Sequence, residues 1–225
     1  LLALGLILRV LWALLCPNEP TSDQHIYDFH AGRLAQGHGY TDEAGVLQNY
    51  WPVGYSALLA PAYAVLGSSL WAVVVTNALF WLFGIAGMYR LTEALFDERA
   101  ARVAALATAV HPTFVMHTTM WASETPFCAV TPWILWLCVR AGREPGLALR
   151  PTLFSGASIG LLTYVRPPAL LFLGCVFVFS WLDRRSWKRA LVQASAAGAV
   201  ALVLLLPWGL RNQEAFGRFS LTSFN

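Results

Sequence analysis

Four short stretches of this chain set polar side chains against apolar runs. The first is Thr21-Ser22-Asp23-Gln24-His25-Ile26-Tyr27-Asp28. A carboxylate at a partly dry interface has its pKa raised by desolvation and can act as a general base, which makes Asp23 a candidate proton acceptor. An Asp at this point also suits the N-cap of a following helix, and the residues alone leave both roles open and compatible. His25 and Tyr27, on the same segment, are candidate substrate contacts. The second stretch is Trp121-Ala122-Ser123-Glu124-Thr125-Pro126. A carboxylate such as Glu124 beside apolar residues is costly unless it is paired or functional. The competing explanation is a helix start, with Ser123 as cap, Glu124 in the first turn and Pro126 early in the helix. The third stretch is Tyr164-Val165-Arg166-Pro167-Pro168. A guanidinium there suits a phosphate, which it can hold through two hydrogen bonds, although an arginine can also snorkel to lipid headgroups. The fourth is Pro207-Trp208-Gly209-Leu210-Arg211-Asn212. Arg211 is a second candidate partner for a phosphate or carboxylate, or an interfacial anchor beside the belt-type Trp208.

The elements that must carry these side chains are read from composition. The chain has 225 residues, of which 57% are hydrophobic and only 12% charged; a soluble domain usually carries about 25% charge. A helix crosses the hydrocarbon core with ~20 mostly apolar residues. Apolar runs at 1–15, 70–91, 100–120, 126–139, 153–164, 169–182 and 190–210 predict an all-α fold: a polytopic membrane protein of about seven transmembrane helices. Residues 18–50 form a polar loop, in which Ile26, Tyr27, Phe29, His30, Leu34 and Ala35 recur at helical spacing. That pattern predicts an amphipathic interfacial helix stopped by Gly37 and Gly39. Trp51-Pro52 opens a shorter apolar helix ending near Gly67, too short for an ordinary span and so interfacial or re-entrant. Residues 1–225 read as one transmembrane domain, expected to be the N-terminal part of a longer chain, because Leu1 already lies in an apolar run and no cleavable signal is evident.

Loop charges orient the bundle. With the 18–50 loop placed outside, the inner loops collect Arg90, Arg99, Arg102, Arg140, Arg143, Arg150, Arg184, Arg185, Lys188 and Arg189 of the 15 basic residues. The outer set holds Arg33, Arg166, Arg211 and Arg218, with Arg9 inside the first helix. By the positive-inside rule the Asp23 loop is non-cytosolic. All five histidines fall on that outer side. The four cysteines form no C-x-x-C pair and read as small buried hydrophobes. Nothing in the charge pattern points to nucleic acid; the expected surroundings are a lipid bilayer. Two carboxylates and two arginines on one face suit a reaction in which a lipid phosphate leaves and an acceptor hydroxyl or amine loses a proton.

In order along the chain, Arg9; Asp23 and Tyr27; Ala31, Leu34, Ala35, Gly37, Gly39 and Tyr40; Trp51-Pro52 with Gly54-Tyr55; Gly67; His111-Pro112; Ser123-Glu124; Arg166-Pro167; and Pro207-Trp208 with Arg211-Asn212 and Phe216-Gly217 together resemble the fold-C (GT-C) glycosyltransferases. The nearest branch is the one holding the protein O-mannosyltransferases and the lipid A aminoarabinose transferase. The resemblance implies an enzyme in the inner or plasma membrane with its active site facing the periplasm or cell exterior. It implies a polyprenyl-phosphate-linked sugar as donor, and a glycan, lipid or protein as acceptor. Asp23 then matches the catalytic first-loop aspartate, and Glu124 the acidic position of the second outer loop, where it orients a substrate or holds a divalent cation. The Asp-Glu pair of the protein mannosyltransferases reads Asp23-Gln24 here, so acceptor type does not carry over, and their Pro-Pro reads Trp51-Pro52. Rival classes are a transporter or lipid-linked-sugar flippase, which predicts charges buried in mid-helix, and a non-catalytic binding subunit.

Overall fold

Proline and glycine decide where the apolar runs break. The computed structural model describes residues 1–224, and among these the only β feature is an isolated antiparallel bridge between Thr41 and Leu47. Helix α1 (Leu2–Leu15) ends just before Pro17. Helix α2 (Asp23–Ala35) stops before Gly37, whose φ of 79° most residues avoid. Helix α3 (Gly54–Leu66) closes on Gly67 at φ 71°. Helix α4 (Leu70–Leu95) and helix α5 (Glu98–Val110) are both capped by side chains, Ser69 and Asp97, that accept from the N–H of Ala72 and Ala100.

The expected single run over 100–120 is broken. Pro112 disfavours helical backbone at the residue before it, and His111 sits extended at φ −60°, ψ 120°. A short helix α6 (Pro112–Met116) and a 3-10 turn (His117–Thr119) lead to the next loop. Helix α7 (Glu124–Arg143), helix α8 (Leu149–Val165), a 3-10 turn (Pro167–Leu171), helix α9 (Phe172–Arg184) and helix α10 (Trp187–Phe216) complete the chain.

Two helices, α4 and α10, are long and apolar enough to cross a membrane by length and composition, and α1, α3 and the stretch from Pro167 to Asp183 are shorter apolar helices. Helix length alone therefore does not establish the expected count of spans. Large apolar side chains such as Val65, Leu79, Val203 and Leu210 point outward. That leaves little hydrophobic force between helices in lipid, so close backbone approach must hold them. Helix α4 packs against α1, α3, α5 and α7, while α10 packs against α8 and α9. Gly156 and Gly160, one turn apart on α8, face Ala197 and Ala201 on α10. A Cβ at Gly156 would stand 2.3 Å from the Ala197 carbonyl oxygen, and one at Gly160 would stand 2.9 Å from Ala201 Cα. This is the small-xxx-small contact of membrane helices.

The arginine-rich helix ends are tied together. Arg189 donates to the carbonyls of Ala141, Gly142 and Glu144, and Gln193 to those of Ala141 and Leu147. The opposite end gathers α2, the 36–53 loop, the turn at 120–123, the turn at 166–171 and, through Trp208 and Arg211, the end of α10, so the four chemistry-bearing stretches lie at that end.

Candidate active site

Asp23 and Tyr27 lie one turn apart on the same face of α2. The Tyr27 hydroxyl donates to Ser123 Oγ at 3.4 Å, joining α2 to the turn at 120–123. The Tyr27 carbonyl accepts from Ser56 Oγ of α3 at 3.1 Å, and its ring meets Tyr55 and Trp51 edge-on at 5.2 and 6.3 Å. Glu124, the first residue of α7, forms an ion pair with Arg166 from the α8 turn. A cleft of about 160 Å³ opens between these pieces, lined by Tyr27, Trp51, Pro52, Ser123, Val165, Arg166, Pro167, Pro168 and Ser223.

The charges converge on the Tyr27 hydroxyl. Burial raises its pKa; the Ser123 bond and Arg166 oppose that, while Glu124 and Asp23 add to it. Burial also pushes Glu124 up, but the hydrogen bond from Arg166, a backbone N–H and the charges of Arg166 and His117 outweigh it and hold the carboxyl below its ordinary value. Asp23 is exposed, and among the described residues its one side-chain hydrogen bond comes from Ser22 Oγ at 3.3 Å. The helix start expected at the second stretch is present in position, with Ser123 at the N-cap of α7, Glu124 in its first turn and Pro126 third, although the Ser123 side chain makes no capping bond; Asp23 is the first residue of α2, whose N-cap is Ser22.

Two of the other expected contacts lie elsewhere. His25 is exposed and is not in the cleft lining, because two residues along a helix turn it about 200° away from Asp23. Arg211 stacks over Trp208 at 4.4 Å and donates to the carbonyls of Tyr40 and Gln48 and to Asn212 Oδ1. With Trp208 donating to Asn49 Oδ1 at 3.1 Å, it straps the 40–49 loop onto α10. Arg166 and Arg211 therefore do not share one pocket. Among the described residues, no three His, Cys, Asp or Glu side chains gather as a metal site.

Sequence reasoning missed the residues that fasten the loops. Trp121 Nε1 donates to Asp28 Oδ1 at 3.1 Å and to Tyr63 Oη at 2.7 Å, and the Tyr63 hydroxyl donates to the same Asp28 oxygen. This locks α2, α3 and the second loop together. No local signal reveals it, since Trp121 is 93 residues from Asp28. Asn77 does leave a signal, as a polar residue inside an apolar helix. It is fully buried, donates to the carbonyls of His117, Thr118 and Met120, and accepts from Tyr55 Oη at 3.1 Å. Arg9 is likewise buried in α1, donating to the carbonyls of Gly5 and Ala109 and lying 5.6 Å over Trp81.

The lock yields a prediction. Asp28→Asn keeps an acceptor oxygen for both donors, so transfer is expected to fall less than about threefold. Asp28→Leu leaves the Tyr63 hydroxyl without its acceptor, at about 1–3 kcal/mol, while Trp121 keeps only Tyr63 Oη, and should lower both the melting temperature and the activity. An inactive Asn variant with an unchanged melting temperature would make Asp28 a chemical participant instead.

A second prediction concerns Gly54. A Cβ there would stand 2.5 Å from the Tyr164 carbonyl carbon and oxygen and from Val165 N, immediately before Arg166. The obstacle is backbone, so Gly54→Ala is expected to destabilise by about 1–3 kcal/mol and to displace the Arg166 turn, measured as a lower melting temperature in detergent.

A larger, almost wholly apolar cavity of about 480 Å³ adjoins the cleft at Val165, lined by Val53, Leu58, Phe80, Phe83, Val130 and Tyr164 among others. From the cleft it runs between α3, α4, α7 and α8.

Residues 51–210 match the sequence profile of the dolichyl-phosphate-mannose-protein mannosyltransferases. The matched stretch contains Glu124 and Arg166 and begins after the Asp23 loop. The structure is similar to the crystal structure of ArnT from Cupriavidus metallidurans bound to undecaprenyl phosphate, with a TM-score of 0.77 and 19% sequence identity over 96% of this chain. The chain spans 42% of the length of that protein. No curated protein sequence matches the chain.

Proposed function

Since this chain belongs to the dolichyl-phosphate-mannose-protein mannosyltransferase family, a group of GT-C membrane glycosyltransferases, we propose that it transfers a sugar, with inversion, from a polyprenyl-phosphate donor to an acceptor on the non-cytosolic face. The carrying observation is the convergence of Tyr27, Ser123 and the Glu124–Arg166 pair at one cleft beside an apolar cavity. A lipid-linked phosphate needs such a junction: a cation for its head and a greasy groove for its tail.

In this reading the acceptor oxygen attacks the anomeric carbon as the bond from that carbon to the phosphate oxygen breaks. The acceptor proton goes to Asp23, and the bonding pair leaves with the phosphate. The donor phosphodiester and the Asp23 carboxylate, each with one negative charge, become a phosphate monoester with two and a neutral acid. Arg166 stabilises the charge that builds on the phosphate, and Glu124 orients donor or acceptor at the rim. The arginine-rich helix ends lie in the cytosol, about seven spans cross an inner or plasma membrane, and α2 roofs the cavity at the interface.

The test is turnover by the full natural chain in liposomes, supplied with a panel of polyprenyl-phosphate sugars and read as release of polyprenyl phosphate. Release from at least one donor is the expected result. Binding or lipid movement without release would replace the transferase with a carrier-binding or flippase role.

A further inference from the structure

The cleft lining contains one charged side chain, Arg166, and that cation is already in contact with an anion of the same chain. Glu124 Oε1 meets Arg166 Nη1, while Nε and Nη2 of Arg166 make no hydrogen bond among the described residues. The contact is one-armed, and its side chains are 36% and 50% exposed. Ion pairs this open are worth about 0–1 kcal/mol, little enough for an incoming anion to displace. Of the other arginines at this end, Arg211 is committed to loop carbonyls, Arg33 donates to Thr41 Oγ1 and Arg218 lies over the Phe224 ring.

We infer that Glu124 is an exchangeable counter-ion, holding Arg166 between turnovers and competing with the lipid phosphate for it, most strongly after transfer. The inference rests on the reading of this cleft as a lipid-phosphate site. Its physical basis is charge. The donor is a phosphodiester with one negative charge, and the carrier left after transfer is a monoester with about two. Repulsion from Glu124 scales with that charge. Glu124 therefore weakens the hold on the released carrier more than the hold on the donor, and its return to Arg166 expels the product. Because Glu124 also starts α7, the N–H groups of that helix end stabilise its carboxylate while it waits at the rim.

The test measures binding of two probes to the full natural chain in detergent: farnesyl phosphate, a monoester, and its methyl ester, a diester. Glu124→Gln is expected to tighten the monoester roughly three- to tenfold and the diester clearly less. In an Arg166→Ala background the gain shared by both probes should disappear, because no guanidinium is left to compete for, while the monoester keeps a smaller gain from lost repulsion. Glu124→Ala should act in the same direction as Glu124→Gln, which guards against a folding defect of one variant. A wild-type protein that binds neither probe overturns the donor class itself. A wild-type protein that binds both, with a Gln variant equal to it, weaker than it, or tightened equally for both probes, overturns the counter-ion role and leaves the transferase reading standing.

Discussion

Replacing Asp23 by Asn is expected to lower sugar transfer about 10²–10⁴-fold, the usual contribution of a positioned general base, while leaving the melting temperature unchanged. The second half of that expectation comes from the structure. Asp23 is exposed, its one side-chain hydrogen bond among the described residues is from Ser22, and it follows the N-cap of α2 rather than forming it, so Asn removes a proton acceptor and little else. Donor affinity should hold within about twofold, because Asp23 is absent from the cleft lining around Arg166 and a base acts in the transition state rather than the ground state. Turnover by the Asn variant at the wild-type rate would remove Asp23 from the chemistry without touching the fold.

Arg166→Ala is expected to cost about 10²–10³ in kcat/KM, the scale seen when one preorganised charge-stabilising donor is lost. Arg166→Lys should recover only a minor part, since a point ammonium cannot reproduce the two-armed hold of a guanidinium on phosphate. Arg211→Ala is the informative contrast. Arg211 binds the Tyr40 and Gln48 carbonyls, so its loss should loosen the 40–49 loop, seen as faster amide exchange there, and should affect turnover less than loss of Arg166. Equal losses for the two arginines would mean that Arg211 also reaches the phosphate during the reaction.

These two expectations show what was legible along the chain. The helical class and the gathering of Asp23, Tyr27, Glu124 and Arg166 at one end of the bundle follow from local properties, apolar runs and where charges interrupt them. The broken 100–120 run could also have been anticipated, because Pro112 acts on its own neighbour, His111. Arg166 and Arg211 looked alike because each is a lone arginine at an outer helix end. Their difference lies in carbonyls from residues 40 and 48, more than a hundred positions from Arg211, and no local pattern encodes that.

By itself, then, the sequence determined the apolar helices, their breaks and the face on which reactive side chains collect, since these follow from hydropathy, backbone sterics and the avoidance of charge in lipid. Only the tertiary structure decided which of those side chains meet. It paired Glu124 with Arg166, turned His25 away, committed Arg211 to the loop and locked Asp28 between Tyr63 and Trp121. The reason is that hydrogen bonds and ion pairs act over a few ångströms, and packing brings residues within that range regardless of their separation along the chain.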